Sequence, residues 1–249
     1  SPTITTSVIR DNAVGIRLEN GATAAITNNV IEDNSSYGIY ANSSTLTITG
    51  NTFSGNGSYA IYLSSGSAGS VISGNTAVGN GKNGIYIGGG TLAQNASWGS
   101  DMPVVLGGTV TVPQGVTLTL EPGLVVKGVS GGGLGVDGTL LAQGADVAPI
   151  VFTSDRDDSY GGDTNGDGAA TVPAAGAWRG VGFSDTSTGN VLDYVIVRYA
   201  GQAYNPVFTA NAALFTATSA LSFSNGVVEH SNIRGIYVYG ANVSPTITT

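Results

Sequence analysis

An all-β solenoid, built by stacking short strands coil upon coil, is the fold class this 249-residue sequence predicts. Three observations predict it. The first is a repeat: residues 26–87 read, in register, ITNNVIEDNSSYGIY, ITGNTFSGNGSYAIY and ISGNTAVGNGKNGIY, and the leading Ile26, Ile48 and Ile72 fall 22 and 24 residues apart. The second is the local pattern. Apolar residues pair or alternate, as in Val30-Ile31 and Ile39-Tyr40, while Gly or Asn interrupts every few positions. No stretch holds a 3.6-residue apolar period, so short strands joined by tight turns are expected and helix is nearly excluded. The third is a pair of asparagine columns, Asn29, Asn51 and Asn75, then Asn34, Asn56 and Asn80. A fixed period of this size marks units that bury their apolar faces only against their neighbours.

One strand–turn–strand–turn circuit of about 22 residues fits one coil of a parallel β-helix, with coils about 4.8 Å apart along the axis. Asn belongs at a corner of such a coil for two reasons: it tolerates the left-handed turn conformation, and its amide can bond the Asn above and below. These columns resemble the PbH1 repeats of the right-handed parallel β-helix superfamily, which includes pectate lyases, phage tailspikes and bacterial surface adhesins. Right-handedness is what the resemblance implies. The expected fold is one right-handed parallel β-helix over residues 1–249, of roughly ten coils and about 50 Å long.

The chain divides by its corners. Residues 1–90 carry regular coils of 22–24 residues; Ile4, Ile9 and Asn12 each sit 22 residues before Ile26, Ile31 and Asn34. Residues 91–154 keep strand alternation, as in Thr117-Leu118-Thr119-Leu120, but turn at Pro-Gln-Gly, Glu-Pro-Gly and Asp-Gly. They read as coils with altered corners, a small inserted β-sandwich being the competing reading. The "LTLEPG" and "GTLLAQG" runs resemble segments of large secreted bacterial β-helix proteins. Residues 155–177 form one long acidic loop, and residues 178–249 return to coils, where Asn232, Gly235 and Ile236 repeat the spacing of Asn12, Gly15 and Ile16. SPTITT then recurs at 244–249, identical to residues 1–6. Two explanations stay open: a wall sequence favoured by strands, or a 243-residue unit of a tandem array. Both ends carry coil sequence in register with no capping segment, so copies stacked head-to-tail are the expected partner.

Composition narrows the function classes. Only 10% of residues are charged, against roughly 25% in typical globular proteins, yet 41% are hydrophobic, which excludes a disordered chain. Sixteen carboxylates face eight Lys and Arg, so there is no basic stripe for a nucleic-acid partner. No run approaches the roughly 18 apolar residues of a membrane span. Cysteine is absent, which removes disulfides and thiolate chemistry. The acidic, Gly/Asn/Thr/Ser-rich, Cys-free balance points to a bacterial, extracellular or cell-surface protein.

The sharpest chemical signal is DRDDSYGGDTNGDGAAT. It gathers Asp155, Asp157, Asp158, Asp163 and Asp167, and Asp163-x-Asn165-x-Asp167-Gly168 matches the first half of an EF-hand type calcium loop. Ala174 stands where the bidentate Glu would be, so one of Asp155, Asp157 or Asp158 has to complete a calcium shell. The competing reading is a solvated acidic loop. An enzyme would need paired carboxylates at a glycosidic bond, or a metal-bound uronate facing a base. Asp11 and Asp33 stack 22 residues apart beside Glu32, but a solvated corner accounts for them, and no catalytic set emerges. Tyr37, Tyr40, Tyr59, Tyr62 and Tyr86 recur at one corner; cross-coil packing or a carbohydrate-binding stripe explains them. The expected function is a non-catalytic structural repeat of a large secreted surface or filament-forming protein. The alternatives are a polysaccharide lyase or hydrolase, and a glycan-binding adhesin.

Overall fold

A computed structural model describes residues 1–202 and 211–249. Its 29 strands form four sheets, of ten, nine, six and four strands. Neighbours within each sheet pair in parallel and come from successive circuits of the chain, which is a β-helix. The ten-stranded wall starts at Thr3–Thr5, passes through Thr23–Thr27 and Thr45–Thr49, and finishes at Thr246–Thr248. Its nine steps span roughly 43 Å at about 4.8 Å each.

Register explains why the isoleucine column could be seen in the sequence only in part. Ile4, Ile26, Ile48 and Ile72 stand directly above one another, and the same column then continues as Trp98, Leu120, Ala142, Leu192, Phe223 and Ile247. Every member from Ile26 to Phe223 belongs to one continuous apolar core that also holds Phe53, Phe152 and Trp178. Each large side chain fully buried there stabilises by about 1.5–3 kcal/mol. Strands in 91–154 lie in the ten- and nine-stranded sheets that run on from the coils before them and in the six-stranded sheet that the coils after them continue, so they form no separate sandwich.

Corners are set by backbone conformation. The residues before the Asn columns take positive φ: Asn28, Gly50 and Gly74 before one, Asp11, Asp33, Gly55 and Gly79 before the other. Asn, Asp and Gly are the residues that adopt this region at least cost. The Asn side chains that follow form ladders and, apart from the exposed Asn12, are buried. Asn29 Nδ2 donates to Asn51 Oδ1 at 2.9 Å and Asn51 Nδ2 to Asn75 Oδ1 at 3.0 Å. Asn34 to Asn56 and Asn56 to Asn80 repeat the arrangement at 2.9 and 2.7 Å. Each amide also donates to a carbonyl of the previous coil, as Asn51 does to Ile26 at 2.8 Å. A buried polar group is tolerated when its bonds are made, and here they are made on both sides. Asn232 is exposed, so it repeats the spacing of Asn12 without joining a buried ladder.

The walls also shift. Early coils use the ten-, four- and nine-stranded sheets; the four-stranded sheet ends at Thr76–Val78, and the six-stranded one begins at Gly90–Thr91. This exchange is the physical content of the altered corners after residue 90.

Candidate functional site

Side chains alternate across a strand, so the residues between the buried ones of the nine-stranded wall point outward. Register sets them in one row. Arg17 lies opposite Tyr40, followed by Tyr62, Tyr86, Val105, Lys127 and Thr153, and Arg198 pairs with Glu229 at the far end. Tyr40, Tyr62 and Tyr86 stack with centroids 5.0 and 5.1 Å apart and planes within 8° and 18°. Tyr37 packs on Tyr62 at 5.1 Å and Tyr59 on Tyr86 at 4.9 Å. The Arg17 guanidinium caps the Tyr40 face at 5.0 Å, and the Lys82 ammonium covers Tyr59 at 5.0 Å. Burial, then the neighbouring phenols, pushes the Tyr62 hydroxyl up, and burial pushes Tyr59 far above its ordinary range. These hydroxyls therefore stay protonated. Because the ring faces are turned onto one another, the stripe presents edges and hydroxyl groups to solvent.

The acidic loop leaves this wall after the Ile150–Ser154 strand and folds back over it. Gly161 lies against Pro103 and Val125, and Gly166 against Gly81. Beneath it, Lys127 is fully buried. Its Nζ donates to the carbonyl oxygen of Asp157 at 3.0 Å and to that of Gly162. Burial lowers the Lys127 pKa, and Asp158, Asp157, Asp155 and Asp163 pull it back up. No motif in the sequence singles out this residue. Its one signal was a charge interrupting the apolar strand Val125–Gly128.

The six candidate metal residues separate into two groups. Asp158, Asp163 and Asp167 each bring a carboxylate oxygen within 4.8 Å of the others. Asp163 accepts the backbone N–H groups of Gly166 at 2.7 Å and Gly168 at 2.8 Å. Burial opposes its ionisation, but these N–H groups and that of Asp167 outweigh burial and hold its pKa down. Asn165 Nδ2 donates to Asp167 Oδ2 at 2.9 Å. Burial and the adjacent Asp163 push Asp158 up, and one of its carboxylate oxygens is buried without a hydrogen-bond partner. Three converging carboxylates with an orphaned oxygen suit a hard divalent cation such as calcium. Asp157 and Asp155 turn elsewhere. Asp157 accepts from the Thr153 hydroxyl at 2.6 Å and lies 3.7 Å from Arg198, while Asp155 faces the tyrosines. The EF-hand half-match thus gains Asp158 as its third carboxylate.

At the other end of the row, Arg198 is held 3.1 Å from Glu229 and 4.7 Å above the Tyr199 ring, which stacks on His230 at 5.1 Å. This guanidinium is nearly buried and its partners are protein groups, which is the environment of a structural cation. Asp11 and Asp33 have φ of 60° and 51°; they form corners, and Arg10 lies 3.7 Å from Asp11 and 3.6 Å from Glu32.

Where the loop overhangs the tyrosines it closes a cleft of about 340 Å³, lined by Tyr37, Ser58, Tyr59, Tyr62, Lys82, Tyr86, Val129, Asp155 and Asn165. No helix among the described residues is long and apolar enough to cross a membrane. Residues 1–96 match the family model described as right handed beta helix region. That match and the parallel stacking of successive coils make the fold a right-handed parallel β-helix. No curated protein and no solved structure matches the chain.

Proposed function

Taking the chain as a right-handed parallel β-helix, we propose that it is a non-catalytic structural segment of a large secreted bacterial surface or filament protein, in which copies follow one another head-to-tail. One observation carries this reading: the strands Thr3–Thr5 and Thr246–Thr248 have the same sequence and lie at opposite ends of the same wall. The wall therefore returns to its starting sequence after nine steps, as a repeating rod requires. The stacked tyrosines, the buried Lys127 and the caged Arg198 are all engaged by protein groups, which supports a load-carrying surface over a reactive one. Calcium, held by Asp158, Asp163 and Asp167, ties down the loop. The test is a polysaccharide panel, neutral and uronate, incubated with the whole chain, read by reducing ends and by the absorbance of unsaturated uronates. Neither signal is expected to rise; steady release of either would overturn the reading.

A second reading, glycan binding, is favoured by the cleft, which Lys82, Asp155 and Asn165 line together with Tyr37, Tyr59, Tyr62 and Tyr86. It predicts saturable calorimetric binding of an oligosaccharide that Tyr59→Ala abolishes.

A further inference from the structure

The edge strands at the two ends of the solenoid complement each other beyond the shared SPTITT. At one end the outermost strands are Thr3–Thr5, Val8–Arg10 and Ile16–Leu18, one in each of three sheets. At the other they are Val227–Glu229, Arg234–Val238 and Thr246–Thr248. The last coil repeats the conformation of the first. Asn225 and His230 take φ of 49° and 52°, where Thr6 and Asp11 take 48° and 60°. Gly235-Ile236 also stands where Gly15-Ile16 does, each opening the next inward-facing stretch.

We infer that these two faces are a matched interface for a second copy of the same 243-residue unit. This rests on the rod reading above and specifies how the units meet. The second copy's residues 1–6 stand where Ser244–Thr249 stand. Phe223 pairs with Ile247, which is the position of the second copy's Ile4. Val227 and Val8 each follow their column residue by four positions, so Val227, Val228 and Glu229 come opposite Val8, Ile9 and Arg10 of the second copy. Within one unit Arg10 already pairs with Glu32 in this way, so Glu229 supplies the same charge on its other side. The Gly-Ile match places Tyr237 opposite Arg17, whose free side is the one away from Tyr40. The tyrosine stack of one unit is thereby prolonged through a guanidinium onto the aromatic end of the other, where Tyr237 packs with Phe215 at 5.9 Å. The exposed Val8 (60%) and Val227 (47%) become buried against each other. The nine-stranded sheet of one unit runs on into the four-stranded sheet of the next, and the six-stranded sheet into the nine-stranded one. Backbone pairing supplies the affinity of such a contact; opposed charges set its register.

The test is a chain of two copies, residues 1–243 followed by 1–249, compared with the 249-residue chain in urea. Expected is one cooperative transition at a higher midpoint, and a rod twice as long by X-ray scattering. Glu229→Arg in the first copy should lower the midpoint more than Glu229→Arg in the second. That second substitution removes only the internal contacts with Arg198 and His230. Arg10→Glu in the second copy should then restore the loss. If Glu229→Arg prevents folding, Glu229→Gln is compared between copies in the same way. Independent unfolding of the two units at the single-chain midpoint, or equal effects at the two Glu229 positions, would overturn the interface. The polysaccharide assay reports separately on the functional reading, so either can fail alone.

Discussion

Lys127 Nζ lies 3.0 Å from the carbonyl oxygen of Asp157, and the lysine is completely buried beneath the loop that supplies that oxygen. A buried ammonium is costly unless paired and hydrogen-bonded. Here the loop brings both carbonyls and carboxylates to it, so strand and loop each make the other tenable.

Replacing Lys127 with Met should therefore loosen the loop first. The carbonyls of Asp157 and Gly162 lose their donor, at about 1–3 kcal/mol, and the surrounding carboxylates lose their counter-charge. Limited proteolysis should cut within 155–177 while the coils survive. Unchanged resistance of that segment would show that the lysine is not its tether.

Calcium should oppose that loosening. Asp158, Asp163 and Asp167 repel one another until a cation neutralises them. Chelator should then expose residues 155–177 to protease, and terbium luminescence should titrate in wild type and vanish in Asp163→Asn. Thermal unfolding and proteolysis both indifferent to chelator would leave a solvated acidic loop.

Asn51→Ala removes one rung of a buried ladder. It deprives Ile26 O of a donor and leaves the backbone and side-chain donors of Asn29 without their acceptor. The expected loss is about 1–3 kcal/mol by urea denaturation, with Asn42→Ala on an early corner as a comparison. A loss below the comparison would mean that the ladder adds no stability.

Asp193 gives the fold a pH dependence. The Ser224 hydroxyl donates to it at 2.7 Å and Asn225 Nδ2 at 2.8 Å. These bonds hold its carboxyl below the usual range. A carboxyl depressed in the folded state contributes stability that is present above its unfolded pKa, roughly 3.9, and lost as pH falls through the lower folded value. Wild type and Asp193→Asn should therefore differ near neutral pH and converge in acid. A difference that stayed constant from neutral pH to pH 2 would contradict this.

The coil period, the Asn ladders and the inward Ile column were legible because they repeat residue for residue. The column became hard to follow where Trp98, Leu120 and Ala142 carry it, since a core position demands apolar volume and not one residue type. The loop was legible as a loop, and Asp163 and Asp167 as neighbours within it, but which of the earlier acids joins them was not. Asp155, Asp157 and Asp158 are near neighbours in sequence, and the backbone turn alone sends Asp158 to Asp163 and Asp167, Asp157 to Thr153, and Asp155 to the tyrosines. Lys127 was missed for a related reason. Its row is assembled from strands more than twenty residues apart, and no local pattern reports it. The reverse error threatened at Asp11 and Asp33, where a stacked pair of acids is explained by a corner that needs positive φ.

The asparagine ladders have a direction. In both columns each Nδ2 before the last donates a hydrogen bond to the Oδ1 of the following coil, from Asn29 to Asn75 and from Asn12 through Asn34 and Asn56 to Asn80. Amide dipoles aligned in this way add and polarise one another, so each column is electrically a vector along the first coils. The vector is closed off inside the molecule: at its head Asn75 Nδ2 turns to Ser73 O at 3.0 Å and Asn80 Nδ2 to Asn83 Oδ1 at 3.0 Å. The early coils are therefore electrically polar where the later ones, held by apolar side chains at the same corners, are not.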